Sequence, residues 1–255
     1  MEEYLKIRNI STTYQAENGE TPALDNVSFN VAKGEIVSIV GPSGCGKSTL
    51  LSVIAGLIKP DKGEIFIDNK KIEGINSDVG YMLQRDNLLS WRTIYKNIIL
   101  GLEIQNKLTD ENKKYAENLM RTYGLYEFKD KYPSQLSGGM RQRASLIRTL
   151  VTKPSVLLLD EAFSALDYQT RLAVTDDVYK ILKKEKKTTL IVTHDIPESI
   201  SMSDRVIVLS NRPAKVKSIY KIEFGEESRL PETVRNNEKF SEYFNIIWKE
   251  LDVHV

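Results

Sequence analysis

The sequence predicts an α/β domain with a helical insertion, and three observations carry that expectation. Short apolar β segments fill residues 1–82, helical periodicity runs through 93–150, and strand-like runs alternate with helical ones afterwards. In the first part, Leu5 to Ile10, Val27 to Val31, Glu35 to Val40, Gly63 to Ile67 and Val79 to Met82 are bounded by Gly, Pro and Asn, the punctuation of strands and turns. One helix is expected to start near Lys47. Later, Val156 to Leu159, Leu190 to Val192 and Val206 to Leu209 are continuous apolar runs of the kind that buried parallel strands require. Phe240, Tyr243, Phe244, Ile247 and Leu251 have offsets 0, 3, 4, 7 and 11, one face of a terminal helix. That face either docks on its own domain or serves a partner. The run Lys183, Lys184, Glu185, Lys186, Lys187 is expected to be the solvated C-terminal end of a helix, where cations suit the macrodipole.

Composition narrows the function classes. With 36 Lys and Arg against 35 Asp and Glu, the formal net charge is +1, which argues against nucleic acid or anionic lipid as the main partner. The 41% hydrophobic and 28% charged residues suit a globular chain able to bury a core. No apolar run reaches the roughly 18 residues that cross a bilayer. The N-terminus MEEYLKIRNI has acidic residues where a signal peptide would be basic, so a cytosolic chain is expected. A single cysteine, Cys45, rules out an internal disulfide and agrees with a reducing compartment. No repeat or low-complexity tract is seen.

The chemistry concentrates in two places. Gly41-Pro42-Ser43-Gly44-Cys45-Gly46-Lys47-Ser48 fits G-x-x-x-x-G-K-[ST] without a mismatch, after an apolar strand and before the helical run that starts at Thr49. Such a loop turns successive N–H groups inward at a helix N-terminus and holds phosphate oxygens. Lys47 is expected at the β and γ phosphates and Ser48 on Mg²⁺. Cys45 lies inside this cradle, and its alkylation is expected to block nucleotide binding. The second place is Asp160-Glu161, at the C-terminal end of the run Val156 to Leu159, where open α/β sheets bind ligands. Asp160 is expected in the Mg²⁺ shell. Glu161 points differently along an extended segment and could deprotonate the attacking water, worth about 10²–10⁴ in rate. Two carboxylates with two roles point to hydrolysis of the nucleotide.

Between and after these centres stand Gln84, Leu136-Ser137-Gly138-Gly139-Met140-Arg141-Gln142-Arg143, Ser164-Ala165-Leu166-Asp167 and His194. The order resembles the ATP-binding-cassette (ABC) ATPases: Walker A, Q-loop, signature, Walker B, D-loop and switch histidine. The match spans residues 4 to about 215. The resemblance implies a P-loop NTPase core with a parallel, RecA-like sheet, an N-terminal antiparallel β subdomain and an inserted helical subdomain. In these terms residues 1–92 and 151–222 form the catalytic core with the β subdomain, 93–150 the helical signature subdomain and 223–255 a helical tail.

It further implies ATP and Mg²⁺, a catalytic set of Glu161, His194, Gln84 and Lys47, and Gln84 as a metal ligand beside Ser48 and Asp160. Ser137, a natural N-cap, with Gly138 and Gly139 would close on the ATP of a second subunit. Asp167 would reach across that two-fold interface, and Tyr14 stands either where an aromatic stacks on adenine or as a plain packing residue. Leu88, Leu89 and Trp91 line a groove for a membrane permease or, alternatively, cap the helical subdomain's own core.

Met140 departs from the commonest signature, where Gln stands, and removes any strong hydrogen bond at that point. LSGGM followed by RQR, the stretch Gly80 to Thr93, Leu209-Ser-Asn-Arg212-Pro213 and the aromatic tail ending at Trp248 resemble the cassettes of nitrate, sulfonate, taurine and pyrimidine-precursor importers. The implied function is an ATPase subunit on the cytoplasmic face of a membrane, paired with a second cassette, with permease subunits and, indirectly, with an extracytoplasmic solute-binding protein. Cassettes in DNA maintenance or translation are the competing class; they typically carry long coiled coils or two cassettes per chain. A P-loop kinase or GTPase would have no use for the Ser137 signature.

Overall fold

The computed structural model describes residues 3–16, 19–225 and 229–251. The first two residues, on which the N-terminal reading partly rests, and the last four of the expected tail lie outside the described residues. In chain order the elements are β1 Glu3–Ala16, β2 Gly19–Ala32, β3 Ile36–Val40, α1 Lys47–Ile54, β4 Lys62–Ile67, β5 Lys70–Lys71 and β6 Val79–Met82. Then come the helices α2 Ile94–Ile98, α3 Leu100–Ile104, α4 Asp110–Thr122 and α5 Gly138–Leu150. The chain returns to alternation with β7 Val156–Asp160, α6 Tyr168–Lys184, β8 Thr188–Val192, α7 Ile196–Met202, β9 Arg205–Leu209, β10 Val216–Lys221, α8 Pro231–Val234 and α9 Glu238–Glu250.

Two sheets result. One is antiparallel, in the order β2-β1-β4-β5, and the other runs β10-β9-β3-β8-β7-β6 with every pair parallel except β10 with β9. The first hairpin is longer than its apolar segments imply, 14 residues in each strand, because polar residues continue the ladder past the core-facing ones. β10 has no apolar run to announce it; its residues alternate half-buried and exposed, as an edge strand's do.

Strand periodicity decides which core each residue enters. Val37 and Ile39 of β3, Val156 and Leu158 of β7, and Leu190 and Val192 of β8 join Leu50, Leu51 and Ile54 of α1 and the apolar face of the antiparallel sheet. Their neighbours Ile36, Leu157, Leu159 and Ile191 point the other way, into a core shared with Ile98, Leu102, Met120 and Ile147 of the helices and with Val178 and Ile181 of α6. The helical block therefore has no separate core; α5 packs on β6 and α6 as an extension of the sheet's own layer.

The terminal helix docks on its own domain. Ile247 is fully buried, and Phe240, Tyr243, Phe244 and Leu251 pack with it against Ile196 and Ile200 of α7 and Val206 and Val208 of β9. The lysine run departs from its expected solvation. Only Lys184 and Lys186 are exposed, while Lys183 pairs with Asp204 at 3.0 Å and Lys187 Nζ donates to the Pro154 carbonyl at 2.7 Å. The helix ends at Lys184, and the chain turns through Lys186 with φ 48° into β8, which pulls Lys187 inward.

Truncating Ile247 to Ala should cost about 2–5 kcal/mol by loss of burial and creation of a cavity. Urea unfolding measures it, and a change within 0.5 kcal/mol, about that of an ordinary surface site, would mean that α9 is not part of the cooperative core.

Candidate functional site

Four adjacent parallel strands, β3, β8, β7 and β6, end on the same edge of the sheet, and each delivers one piece of the site there. After β3 comes the Gly41–Ser48 loop, after β8 His194, at the end of β7 Asp160 and Glu161, and just past β6 Gln84. The registers Ile39↔Val192, Leu159↔Ile191 and Met82↔Leu159 bring these ends level.

The loop after β3 is shaped by its glycines. Gly46, at the start of α1, has φ 125°, and a Cβ there would stand 2.9 Å from the Ala23 carbonyl oxygen, so no other residue fits the turn. Six other helices, α2, α4, α5, α6, α7 and α9, are closed by the side chains of Thr93, Thr109, Ser137, Asp167, Asp195 and Asn237. At α1 the capping position is Gly46, and among the described residues no side chain caps the helix. Its first N–H groups have no helical partners, and the helix dipole adds to their attraction for an anion.

Lys47 is buried and its Nζ donates to the carbonyls of Gly41 (2.8 Å) and Pro42 (2.9 Å). Ser43, Gly44, Gly46, Lys47, Ser48 and Thr49 line a cavity of about 560 Å³ whose far wall is Glu161 and His194. At its edge Tyr14, 39% exposed, sits with its hydroxyl 3.1 Å from that of Thr49.

Cys45 differs from the expected accessible thiol. It is 1% exposed, lies where a Cβ on Gly41 would meet its Sγ at 2.9 Å, and its thiol is pushed up by burial. A thiol of that kind is inert towards alkylation in the folded chain, because the reactive form is the thiolate.

Opposite the cradle, Asp160 is 8% exposed and receives the Ser48 hydroxyl at 3.1 Å and the Tyr81 hydroxyl at 3.1 Å. Burial raises its pKa despite those two bonds, which favours a cation beside it. Ser48 and Asp160 together are an oxygen pair suited to a hard divalent ion. Gln84 is not bonded to this pair. Its Nε2 donates to Glu161 Oε2 (3.2 Å) and to Ser164 Oγ (3.3 Å).

Glu161 holds the left-handed backbone at φ 44°, unusual for a residue with a long side chain and worth on the order of 1–3 kcal/mol of strain. Its N–H donates to Val192 at 2.8 Å and fixes that turn against β8. The strain turns the carboxylate out of the strand direction, where His194 Nδ1 lies 3.3 Å and Gln84 Nε2 3.2 Å from the same oxygen, Oε2. A carboxylate oriented in this way from two sides can accept a proton from a water in the cavity.

The signature residues do not line this cavity. Ser137 accepts from Met140 N–H (3.3 Å) at the start of α5, followed by Gly138 and Gly139. A Cβ on Gly139 would stand 2.9 Å from Val174, so the glycine lets α5 lie close against α6. Asp167 caps α6 by accepting from Thr170 N–H at 3.0 Å and is exposed.

Contacts that the sequence did not announce tie these pieces together. Arg141 pairs with Asp86 at 3.0 Å, and Arg148 donates to the carbonyls of Asp86 and Asn87, so α5 grips the loop after Gln84. Buried Asn97 satisfies the same loop further on, accepting from Leu89 N–H and donating to the carbonyls of Leu89, Arg92 and Thr93. Leu88 packs on the helical core while Trp91 stands 74% exposed, which divides the expected apolar patch between its two readings. Below His194, Glu198 is buried with Oε1 unpartnered, and its pKa is pushed up to about 8, first by burial and then by Asp195 and, more weakly, Glu161, against Thr193 and Arg171. The arginines' partners stand 55 to 62 residues away and leave no local signature, and those of Asn97, 4 to 8 residues away, are loop groups with no motif of their own.

Comparison with known proteins supplies the family. A sequence profile described as ABC transporter matches residues 24–164. The chain is 45% identical over 249 residues to YtlC of Bacillus subtilis, described as an uncharacterized ABC transporter ATP-binding protein, covering 98% of this chain and 96% of that one. It is 36% identical to the taurine import ATP-binding protein TauB of a Jannaschia species, covering 93% and 90%. Among solved structures it is similar to MJ0796, described as the dimeric structure of a bacterial ABC transporter cassette, with TM-score 0.73, 32% identity and 86% and 99% coverage.

Glu198 gives the site a pH signature. Unfolded, its carboxyl ionises near 4.5, whereas in the fold it keeps its proton up to about 8. Between those values the unfolded chain binds fewer protons, so stability falls as pH rises and the favourable contribution is gone above about 8. Glu198→Gln should flatten the fall of stability between pH 6 and 8 seen by urea unfolding. An unchanged slope would mean that the buried acid ionises normally.

Proposed function

This chain belongs to the ABC transporter family, and we propose that it is the ATP-hydrolysing subunit of an importer for a small solute, working as a pair on the cytoplasmic face of a membrane permease. The observation that carries this is Glu161, held in a left-handed turn between His194 and Gln84 across a cavity from an uncapped, lysine-bearing helix N-terminus. That arrangement suits binding a triphosphate and hydrolysing its last bond.

In this reading the free N–H groups of α1 and the Lys47 ammonium hold the phosphates, and Tyr14 meets the adenine. Glu161 takes a proton from the attacking water, while His194 and Gln84 keep its carboxylate aimed at the cavity. Ser48 and Asp160 would hold Mg²⁺, which supplies positive charge to the phosphate oxygens; the hydroxyl–carboxylate pair at 3.1 Å fits that ion. Gln84 joins them only if its amide swings from Glu161. Among the described residues there is no cluster of three acidic, His or Cys groups that could hold a metal by itself, which agrees with a shell completed by phosphate and water.

Ser137, Gly138 and Gly139 stand away from the cradle of their own chain and need a triphosphate from elsewhere. A second cassette facing the first in opposite direction supplies it, and Asp167 lies at the exposed start of α6 where such a neighbour would come. The dimeric MJ0796 cassette supports this pairing. ATP then becomes part of the interface, and its hydrolysis opens the pair.

No helix among the described residues is long and apolar enough to cross a membrane. The permease would meet the loop around Trp91, which Asn97, Arg141 and Arg148 connect rigidly to Gln84 and the signature helix. The likeness to TauB favours a sulfonate-like anion as solute, with nitrate and a pyrimidine precursor as the other candidates of this subfamily, delivered by an extracytoplasmic binding protein.

Glu161→Gln should bind ATP, hydrolyse it at least about 10²-fold more slowly and accumulate as an ATP-bound dimer in gel filtration. Turnover at the parental rate would remove Glu161 as the base.

A further inference from the structure

The switch histidine is half out in solvent, its side chain 58% exposed, so its position depends on the backbone that carries it. That backbone is held from one side by β8, and beyond it by a short polar chain. Asp195 N–H donates to Thr193 Oγ1 at 3.0 Å, and Asp195 Oδ1 accepts from Glu198 N–H at 2.8 Å to cap α7. Its other oxygen, Oδ2, lies 3.6 Å from Nη1 of Arg171.

Arg171 belongs to a different part of the molecule. It stands one turn into α6, its N–H bonded to the Asp167 carbonyl at 2.9 Å, on the helix that Asp167 begins. Arg171, His194 and Asp195 line one cleft of about 660 Å³ with Pro42, Phe244 and Trp248, so the arginine meets the loop on its open side, while Ile196 anchors the other end of the loop in the core.

From this geometry we infer that Arg171 is a positioning residue: through Asp195 it sets where the His194 loop stands relative to the start of α6, so that a movement of the Asp167 segment is felt at His194 and Glu161. The inference rests on the reading of the chain as an ATPase and deepens it. Asp195 faces the guanidinium, and Glu198, buried at the start of α7, lies near enough for Arg171 to act on it electrostatically. Arg171 is the cation paired with Asp195, and without it the loop loses the contact that ties it to α6. In a paired cassette the Asp167 segment is the part exposed to the neighbour. The bridge would then let one subunit's arrival place the histidine of the subunit it touches.

The contact is a charge pair at 3.6 Å, longer than a hydrogen bond, so charge and reach matter more than planarity and lysine should serve in place of arginine. The test measures ATP turnover and, separately, ADP affinity by calorimetry for the full chain and for Arg171→Ala, Arg171→Lys and Asp195→Asn. Expected is a kcat lower by about tenfold to 10²-fold in the alanine variant, the scale that a misplacement of about 1 Å carries, with ADP affinity within about twofold of the parent. Arg171→Lys should recover most of the rate. Asp195→Asn should show the same defect, and combining it with Arg171→Ala should add little, since both cut one link.

Should the alanine variant fail to fold, the lysine and asparagine variants still decide: the inference requires the first to be active and the second slow. Unchanged kcat in folded Arg171→Ala, additive losses in the double variant, or loss of ADP affinity in parallel with kcat would each overturn it. A parent chain that hydrolyses no ATP at any concentration would instead sink the proposed function itself, a result these other outcomes cannot mimic.

Discussion

Everything at the site depends on the register of four parallel strands. β3, β8 and β7 are buried along their length, β6 at alternate residues, and the four end level, so a phosphate loop, a histidine, a pair of acids and a glutamine reach one small volume although they stand up to 153 residues apart, from Gly41 to His194. A slip by one residue would turn Val37, Leu158 and Leu190 out of one core and into the other and would carry Asp160 and Glu161 out of line with the loop. The two cores on either face of the sheet therefore hold the chemistry in place, and α5, packed in one of them, fixes the signature to the same frame.

Within that frame the site is built from groups held against their ordinary preferences. Glu161 occupies a left-handed turn, Asp160 is nearly buried, Lys47 places its ammonium on two backbone carbonyls, and α1 starts with no cap. Each is costly alone. Together they present unsatisfied donors on one wall of the cavity and a turned carboxylate on the other, which is what a phosphoryl substrate and an attacking water need. The surrounding apolar strands supply the stability that lets these groups persist.

The local part of this architecture could be read from the sequence. A phosphate loop is a matter of spacing within eight residues, and the strand before it and the helix after it are marked by short-range periodicity. Asp160 and Glu161 follow from an apolar run, and the amphipathic face of α9 from its offsets. What could not be read was set by tertiary pairing. β10 alternates as an edge strand and carries no apolar run. Tyr81 meets Asp160 only because β6 lies beside β7, and Asn97 looks like any polar helix residue until it is seen to satisfy a whole loop. The lysine run suggests a solvated helix end and the cradle position an alkylable Cys45, yet a turn into β8 draws Lys187 inward and the packing beside Gly41 buries the thiol. Leu88 and Trp91, three residues apart in one apolar patch, divide because only the first reaches the helical core.

The central claim is that the signature of one copy completes the ATP site of another. Its most direct measurement is ATP turnover per molecule, at saturating ATP and constant salt, across a dilution series followed in parallel by light scattering. A shared site requires turnover per molecule to fall steeply as the protein passes into the monomer range. Turnover that stays constant through that range would contradict it.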